Sequence, residues 1–451
     1  MKSNKTLAAL VTLGLAAAVA TPAMAFENQI SGAFTSFYDV SNYSAAGNDG
    51  FPSSTNKTGL STSPNSQNYF VQRVRLGYTA KASEDVKLVT KFELDYNWYG
   101  NSSYANARGG GGAIGADTVN LETKNIYLDL NVVKGLNAKI GMQGNTDAFK
   151  GIIFDADMAG IQLEHAYDKA SVSAGFFRFG DKTDSNTWAG IDSIGKYTND
   201  MFALDGKFSP SKELKVGAAY YYIVDNRSTP NDARIHTLGL NAEAAVGAAT
   251  INGFVLAQFG DYNHAGINNS SNKAKGVAVN LGAKLPVGPG TARAEFLYAS
   301  GGKNGKSLYI PTNNYPLTEG GGFYDNEMII LSRDKNATTI DSAIVFDANN
   351  KDQGVIFASV GYDHNFSQKL SGSANLGIGF AAKTDKAVTD NKSDFLGTEI
   401  NCEANYKLMP TVTLGARAGY MILGDYFKSD TGAHGTFDNP YDVKLIAKYS
   451  F

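Results

Sequence analysis

The sequence predicts an all-β fold: a closed antiparallel transmembrane β-barrel of eighteen strands, with sixteen as the alternative. Three observations point there. Long segments alternate apolar and polar residues, connections alternate between short and long, and aromatic residues gather at the segment ends. Composition agrees. Among 451 residues there are 49 Gly, 25 Phe and 24 Tyr but only 11 Pro, a balance that suits strands and turns better than helices.

Residues 1–25 stand apart from the rest. Lys2 and Lys5 precede an uncharged apolar run, and Ala23-Met24-Ala25 supplies the small residues of a cleavage site. This is the anatomy of a secretory signal peptide, cut before Phe26. Residues 26–451 then form one exported domain. Nothing after Phe26 provides the roughly 18 apolar residues that a membrane helix needs, so any membrane crossing would have to use strands.

Period two decides between a soluble protein and a barrel. In 86–99 the even positions are Val86, Leu88, Thr90, Phe92, Leu94, Tyr96 and Trp98. The odd positions carry Lys87, Lys91, Glu93 and Asp95. Successive side chains of a strand point to opposite faces, so one face meets oil and the other water. The same alternation runs through 70–80, 275–285, 395–406 and 441–451. Such segments match the roughly 9–11 residues of a tilted membrane strand.

Short connections fall near 83–85, 133–136, 168–169, 209–213, 245–248, 286–290, 366–369 and 407–410. Longer polar ones cover 41–68, 100–118, 144–158, 180–197, 225–233, 260–273, 301–353, 382–394 and 425–440. Alternating them gives eighteen strands with both chain ends beside short turns; one hairpin fewer or more would give sixteen or twenty. Long external loops and short periplasmic turns are the layout of a membrane barrel. Tyr96, Trp98, Tyr220, Tyr221, Tyr222, Tyr298 and Tyr426 border long loops, while Tyr78, Tyr167, Phe208, Tyr362, Tyr406, Tyr449 and Phe451 border short turns. Two aromatic girdles follow. A soluble β-sandwich would use shorter strands and would not need the alternation.

The start Ala23-Met24-Ala25-Phe26-Glu27-Asn28-Gln29-Ile30-Ser31-Gly32-Ala33-Phe34, the alternation along the chain and the ending Lys444-Leu445-Ile446-Ala447-Lys448-Tyr449-Ser450-Phe451 resemble the Gram-negative outer-membrane porins. The segment Ala138-Lys139-Ile140-Gly141-Met142-Gln143 resembles the fifth strand of such proteins, with Met142 where Arg is usual. The resemblance implies that Tyr449 and Phe451 form the insertion signal read by the barrel-assembly machinery. It also implies a trimer, an outer-membrane location and a third loop folded into the barrel.

The polar inward faces imply a water-filled channel for passive diffusion of small hydrophilic solutes and ions. Arg73, Arg75, Lys91, Arg417, Lys444 and Lys448 are expected to form a basic arc across the closure seam, bordered or interrupted by Glu93, Asp95, Glu399 and Glu403. By the resemblance, Asp147, Asp155 and Asp157 in 144–158 are candidates for an acidic constriction facing that arc. The seventh loop, 301–353, is far longer than ordinary loops, and the expectation is an external lid or a loop folded into the mouth. Its runs Met328–Leu331 and Ala343–Phe346 are candidates to pair as a hairpin.

Other classes find little support. A net charge of -3 argues against a nucleic-acid partner. One Cys and five scattered His give no disulfide framework, metal site or cofactor site. Cys402 alternates onto the lipid face with Ile400 and Ala404. Gly301-Gly302-Lys303-Asn304-Gly305-Lys306-Ser307 lacks the first glycine of a phosphate loop at the required spacing. No catalytic set is assigned, so the chain is not expected to be an enzyme. The alternatives are a substrate-specific channel or a barrel sheathing a partner complex such as an electron conduit. Expected partners are outer-membrane lipid, the assembly machinery and small solutes.

Overall fold

The computed structural model describes residues 27–42, 66–96, 121–181, 195–228, 231–263, 271–302, 305–311, 324, 326–333, 343–345, 347–350, 352–384, 393–427 and 437–451. The expected signal peptide, Trp98 and Tyr99 lie outside them.

The strands run β1 (Glu27–Ser41), β2 (Gln67–Ser83), β3 (Val86–Tyr96), β4 (Glu122–Val133), β5 (Leu136–Thr146), β6 (Asp155–Ala166), β7 (Ala170–Asp181), β8 (Thr198–Phe208), β9 (Leu214–Ser228) and β10 (Asn231–Val246). They continue with β11 (Ala249–Asn263), β12 (Ser271–Ala274), β13 (Val277–Val287), β14 (Gly290–Ala299), β15 (Val355–Asn365), β16 (Leu370–Phe380), β17 (Phe395–Met409), β18 (Val412–Leu423) and β19 (Tyr441–Ser450). Both β12 and β13 pair with β11, the first at Gly260–Asn263 and the second at 250–257. They are two parts of one strand, and the barrel is eighteen-stranded, as the alternation of turns predicted. It closes where β1 pairs antiparallel with both β2 and β19. Phe451 completes the seam by exchanging two backbone hydrogen bonds with Gly32, each 3.0 Å.

All eight short connections predicted from the sequence are turns between consecutive strands. On the outer surface, Leu88, Ile140, Leu163, Leu204, Leu240, Leu281, Leu376, Ile400 and Leu445 are exposed, forming the apolar belt that a barrel turns toward lipid. Cys402 is exposed on the same face.

Four details depart from the sequence reading. The connection expected at 225–233 is tighter, because β9 continues to Ser228 and β10 begins at Asn231. The strand expected at 275–285 breaks at Lys275-Gly276. There the Lys275 and Gln258 amides donate to the carbonyls of Gly305 and Gly276, so the start of the seventh loop knits into the wall. Two aromatics placed at the membrane interfaces instead point inward. Tyr221 lies on the opposite face from Tyr220 and Tyr222 and is fully buried, while Tyr426 is buried against Gln353. The fourth is the seventh loop itself. Ile344 and Val345 donate to Ile330 and Leu331, and the bridge between Ser332 and Val345 is parallel, so the two apolar runs pair without forming a hairpin.

Candidate functional site

Most of the buried apolar side chains lie inside the barrel, where two loops fold back onto its inner wall. The third loop is the segment after β5. Its Asp147 carboxylate accepts four backbone N–H bonds: Phe149 (2.6 Å) and Gly151 (3.0 Å) on Oδ1, Ile153 (2.6 Å) and Phe154 (2.8 Å) on Oδ2. Asp147 also donates its own amide to the Phe154 carbonyl at 3.0 Å. The loop therefore closes around one carboxylate, which is buried and raised by that burial to about 6. Phe149 at the tip meets Tyr221 of β9 edge-on at 5.9 Å and Phe254 of β11 at 5.6 Å. Lys150, with φ of 63°, reaches the far wall and binds Glu295 of β14 at 2.5 Å. The tip thus crosses from the β5–β6 side to β14.

The seventh loop lines the wall beyond. Asn199 on β8 donates to the Pro311 carbonyl at 3.0 Å, and Gln258 on β11 donates to that of Tyr309 at 3.0 Å. Tyr324 packs on Phe357 of β15, and its hydroxyl bonds both Asn280 (2.9 Å) and Glu295. Glu295 is therefore where the two loops meet. Burial and the Glu295 charge push the Tyr324 phenol well above its ordinary value. Further along, Glu399 of β17 accepts the amides of Ile329 (2.8 Å), Ile330 (3.0 Å) and Leu331 (2.6 Å). A buried carboxylate that receives several backbone donors holds a loop in place, because an unmet buried N–H costs about 1–3 kcal/mol.

Glycine makes room for this docking. A Cβ at Gly419 would lie 2.5 Å from Ile329, and one at Gly379 would lie 2.9 Å from Leu331. Gly377, Gly379 and Gly419 all face inward and leave β16 and β18 bare at this level. At Gly419 the nearest atoms belong to the docked loop. Gly419→Val should accordingly dislodge Ile329 and raise single-channel conductance while leaving barrel melting unchanged. Unchanged conductance would mean that Ile329 does not narrow the path.

On the opposite wall Arg73, Arg75 and Lys124 are paired with carboxylates. Glu93 accepts from Arg75 and lies 3.6 Å from Arg73 and 3.4 Å from Lys124. Asp157 binds Lys124 at 3.0 Å and accepts from Asn125 at 2.8 Å. Arg75 stays half exposed and Lys91 is exposed to the lumen. Asp95 stands opposite Arg73 in register. Lys124 and Lys139, the latter 6.0 Å from the Tyr127 ring, were not singled out from the sequence; a β-bulge opposite Lys91 and Phe92 brings Lys124 of β4 to the inner face, and Lys139 lies inward on β5.

The closure seam sets the predicted arc on two levels. Lys448 and Arg73 flank Thr35 at one level, while Arg417, Lys444 and Asp39 align at another, four residues along β1. At about 3.4 Å per residue this is about 14 Å. Lys444 binds Asp442 (2.7 Å) and Asp39 (3.1 Å), and Arg417 is buried 3.8 Å from Glu403. These two are inward but enclosed, with carboxylates beside them. The structure also gives two of the predicted acids different surroundings. Asp147 is enclosed by its own loop and Glu399 by the seventh. Asp155 accepts from Thr146 at 2.6 Å across the neck of the third loop. Tyr449 and Phe451 are exposed on the outer face and stack at 5.4 Å.

The fold and this interior define a transmembrane β-barrel whose lumen is narrowed by its own loops. No protein-family profile matches the chain, and no curated protein matches it. Solved structures share its fold. Pseudomonas aeruginosa OccK8 (OprE) is 12% identical with a TM-score of 0.55, over 94% of this chain and 98% of that one. OccK2 (OpdF) of the same organism, solved in complex with glucuronate, is 12% identical with a TM-score of 0.53 over the same shares. The outer-membrane protein OpdK, also from Pseudomonas aeruginosa, is 12% identical with a TM-score of 0.52, over 94% and 99%. The chain thus shares its barrel fold with these proteins, OpdK among them an outer-membrane protein.

Proposed function

We propose that this protein is a bacterial outer-membrane channel through which small hydrophilic solutes and ions diffuse, and that its two inward loops make it selective rather than freely open. One observation carries the reading: the third loop crosses the lumen and binds the far wall through Lys150 and Glu295, at the place where the seventh loop also docks. An eighteen-stranded barrel without such loops would leave a wide aqueous lumen. Here passage is confined to the side lined by Arg73, Arg75, Lys91 and Lys124. The alternative of a sheath around a partner complex is less well supported, because the protein's own loops occupy interior space that a partner would need. The fold likeness to OccK2, solved with glucuronate, favours a solute-selective channel over a general one. The resemblance to porins extends the proposal to a trimer inserted by the barrel-assembly machinery.

Arg75 is the more exposed of the paired arginines, and Glu93 keeps Lys124 if both arginines are lost. Arg73→Ala/Arg75→Ala should therefore shift the reversal potential in a salt gradient toward cations, with little change in folding. An unchanged reversal potential would remove these arginines from any part in selectivity.

A further inference from the structure

Behind the seventh loop lies a second space. It lies between the Asn326–Ile329 segment and the inner wall of β15–β18, on the side of the short turns, and measures about 330 Å³. Small-molecule sites span roughly 300–1,000 Å³, so it suits a small ligand. Asn326 forms its roof, Asn375, Asn401 and Asn405 its wall, and Ser371 and Ser373 its rim. Ile329 is the single aliphatic side chain among the residues lining it.

The charges around this space are paired, with one carboxylate in excess. Arg293 donates two hydrogen bonds to Asp363, each 2.7 Å, and lies 3.0 Å from Glu327. Arg417 lies 3.8 Å from Glu403. Two guanidiniums thus face three carboxylates. An anionic solute would find no excess positive charge, and a cationic one would have to displace an existing partner. An apolar solute would strip water from the amides without replacing it. Asn326, Asn375 and Asn401 are bonded to one another, to Arg293 and to the loop, so the groups that meet a solute are the Ser371 and Ser373 hydroxyls, the Asn405 Oδ1 and the lining carboxylates. Hydroxyls that donate and accept, set beside carboxylates that accept, suit a solute carrying adjacent hydroxyls.

We propose that this cavity binds a neutral polyhydroxylated solute of monosaccharide size, which would reach it through the channel proposed above. The rim side chain of Ser373 and the wall side chain of Asn405 can be altered without touching the docked loop, since Asn405 bonds Glu403 rather than the loop.

The test measures binding of D-glucose and of gluconate to the detergent-folded protein by calorimetry, with KCl conductance of the same preparation recorded in bilayers. Glucose is expected to bind saturably and gluconate more weakly. Ser373→Ala and Asn405→Ala should each weaken glucose binding by about tenfold, as loss of about 1.4 kcal/mol would, with KCl conductance unchanged. Intact conductance without glucose binding, tighter binding of gluconate, or variants that bind glucose as well as the parent would each overturn the site. Glucose binding that follows this pattern in a protein that never conducts would support the site and overturn the channel reading instead.

Discussion

Replacing Glu399 by alanine should release the Met328–Leu331 segment from the barrel wall and raise single-channel conductance on the order of twofold, because a docked segment would leave the water-filled cross-section. Three buried amides, those of Ile329, Ile330 and Leu331, lose their acceptor at once. At about 1–3 kcal/mol for each unmet donor, the docked position becomes untenable and the segment moves to where water can serve it. Asn401, which also bonds Glu399 at 2.8 Å and the Glu327 carbonyl at 2.9 Å, is too small a tether to compensate. Glu399→Gln is the informative companion. A glutamine keeps one carbonyl acceptor but turns an NH₂ toward amides that need acceptors, so it should resemble alanine more than the parent. The barrel itself should survive both changes, since its ladder of strand pairs does not involve this side chain. Parent-like conductance in both variants would show that the segment is held by packing alone.

Asp147→Ala is expected to act on the other loop with comparable force. Four backbone donors surround that carboxylate, and among the described residues no other side chain reaches them. Once freed, Phe149 would leave the pocket beside Tyr221 and Phe254, and Lys150 would lose its reach to Glu295. Conductance should rise, and flicker should increase because the loop no longer has one position. The same carboxyl makes a pH prediction. Burial raises it to about 6, whereas in an open, solvated loop it would titrate near the usual carboxylate value of about 4. Between about pH 4 and pH 6 the docked loop therefore holds a proton that the open loop has released. Its contribution is present in full below about pH 4 and is lost as pH rises through about 6. The parent channel should flicker more at about pH 8 than at about pH 4, and Asp147→Asn should flatten that dependence. A dependence retained in Asp147→Asn would assign it to another group.

How much of this was legible beforehand follows from what each kind of pattern encodes. The strands were legible because a membrane wall forces period two, and the turns because short connections can only join neighbours. The two-sided fate of inward charges was not. Arg75 and Glu399 both occupy inward positions of amphipathic strands, yet Arg75 lines the lumen while Glu399 is sealed beneath a loop. Alternation names the face and is silent about what lies against it. A signal for the covering did exist. Gly377, Gly379 and Gly419 repeat on inward positions of β16 and β18, where a wet wall would ordinarily carry polar side chains, and the long seventh loop carries an apolar run able to fill the bare patch. The third loop carried a weaker hint, in that its apolar residues Phe149, Ile152, Ile153 and Phe154 would be out of place in a loop exposed to water. Tyr221 and Tyr426 misled for a related reason, because an aromatic near a strand end suits either the interface or the loop-packed interior.

The most direct test of the account is a planar-bilayer recording of the purified, folded protein in a salt gradient. The account predicts stable unitary steps smaller than an unobstructed eighteen-stranded barrel would give, with a reversal potential that favours anions because the open side is lined by Arg73, Arg75, Lys91 and Lys124. A folded protein that produces no steps, or steps of full open-barrel size, would contradict it.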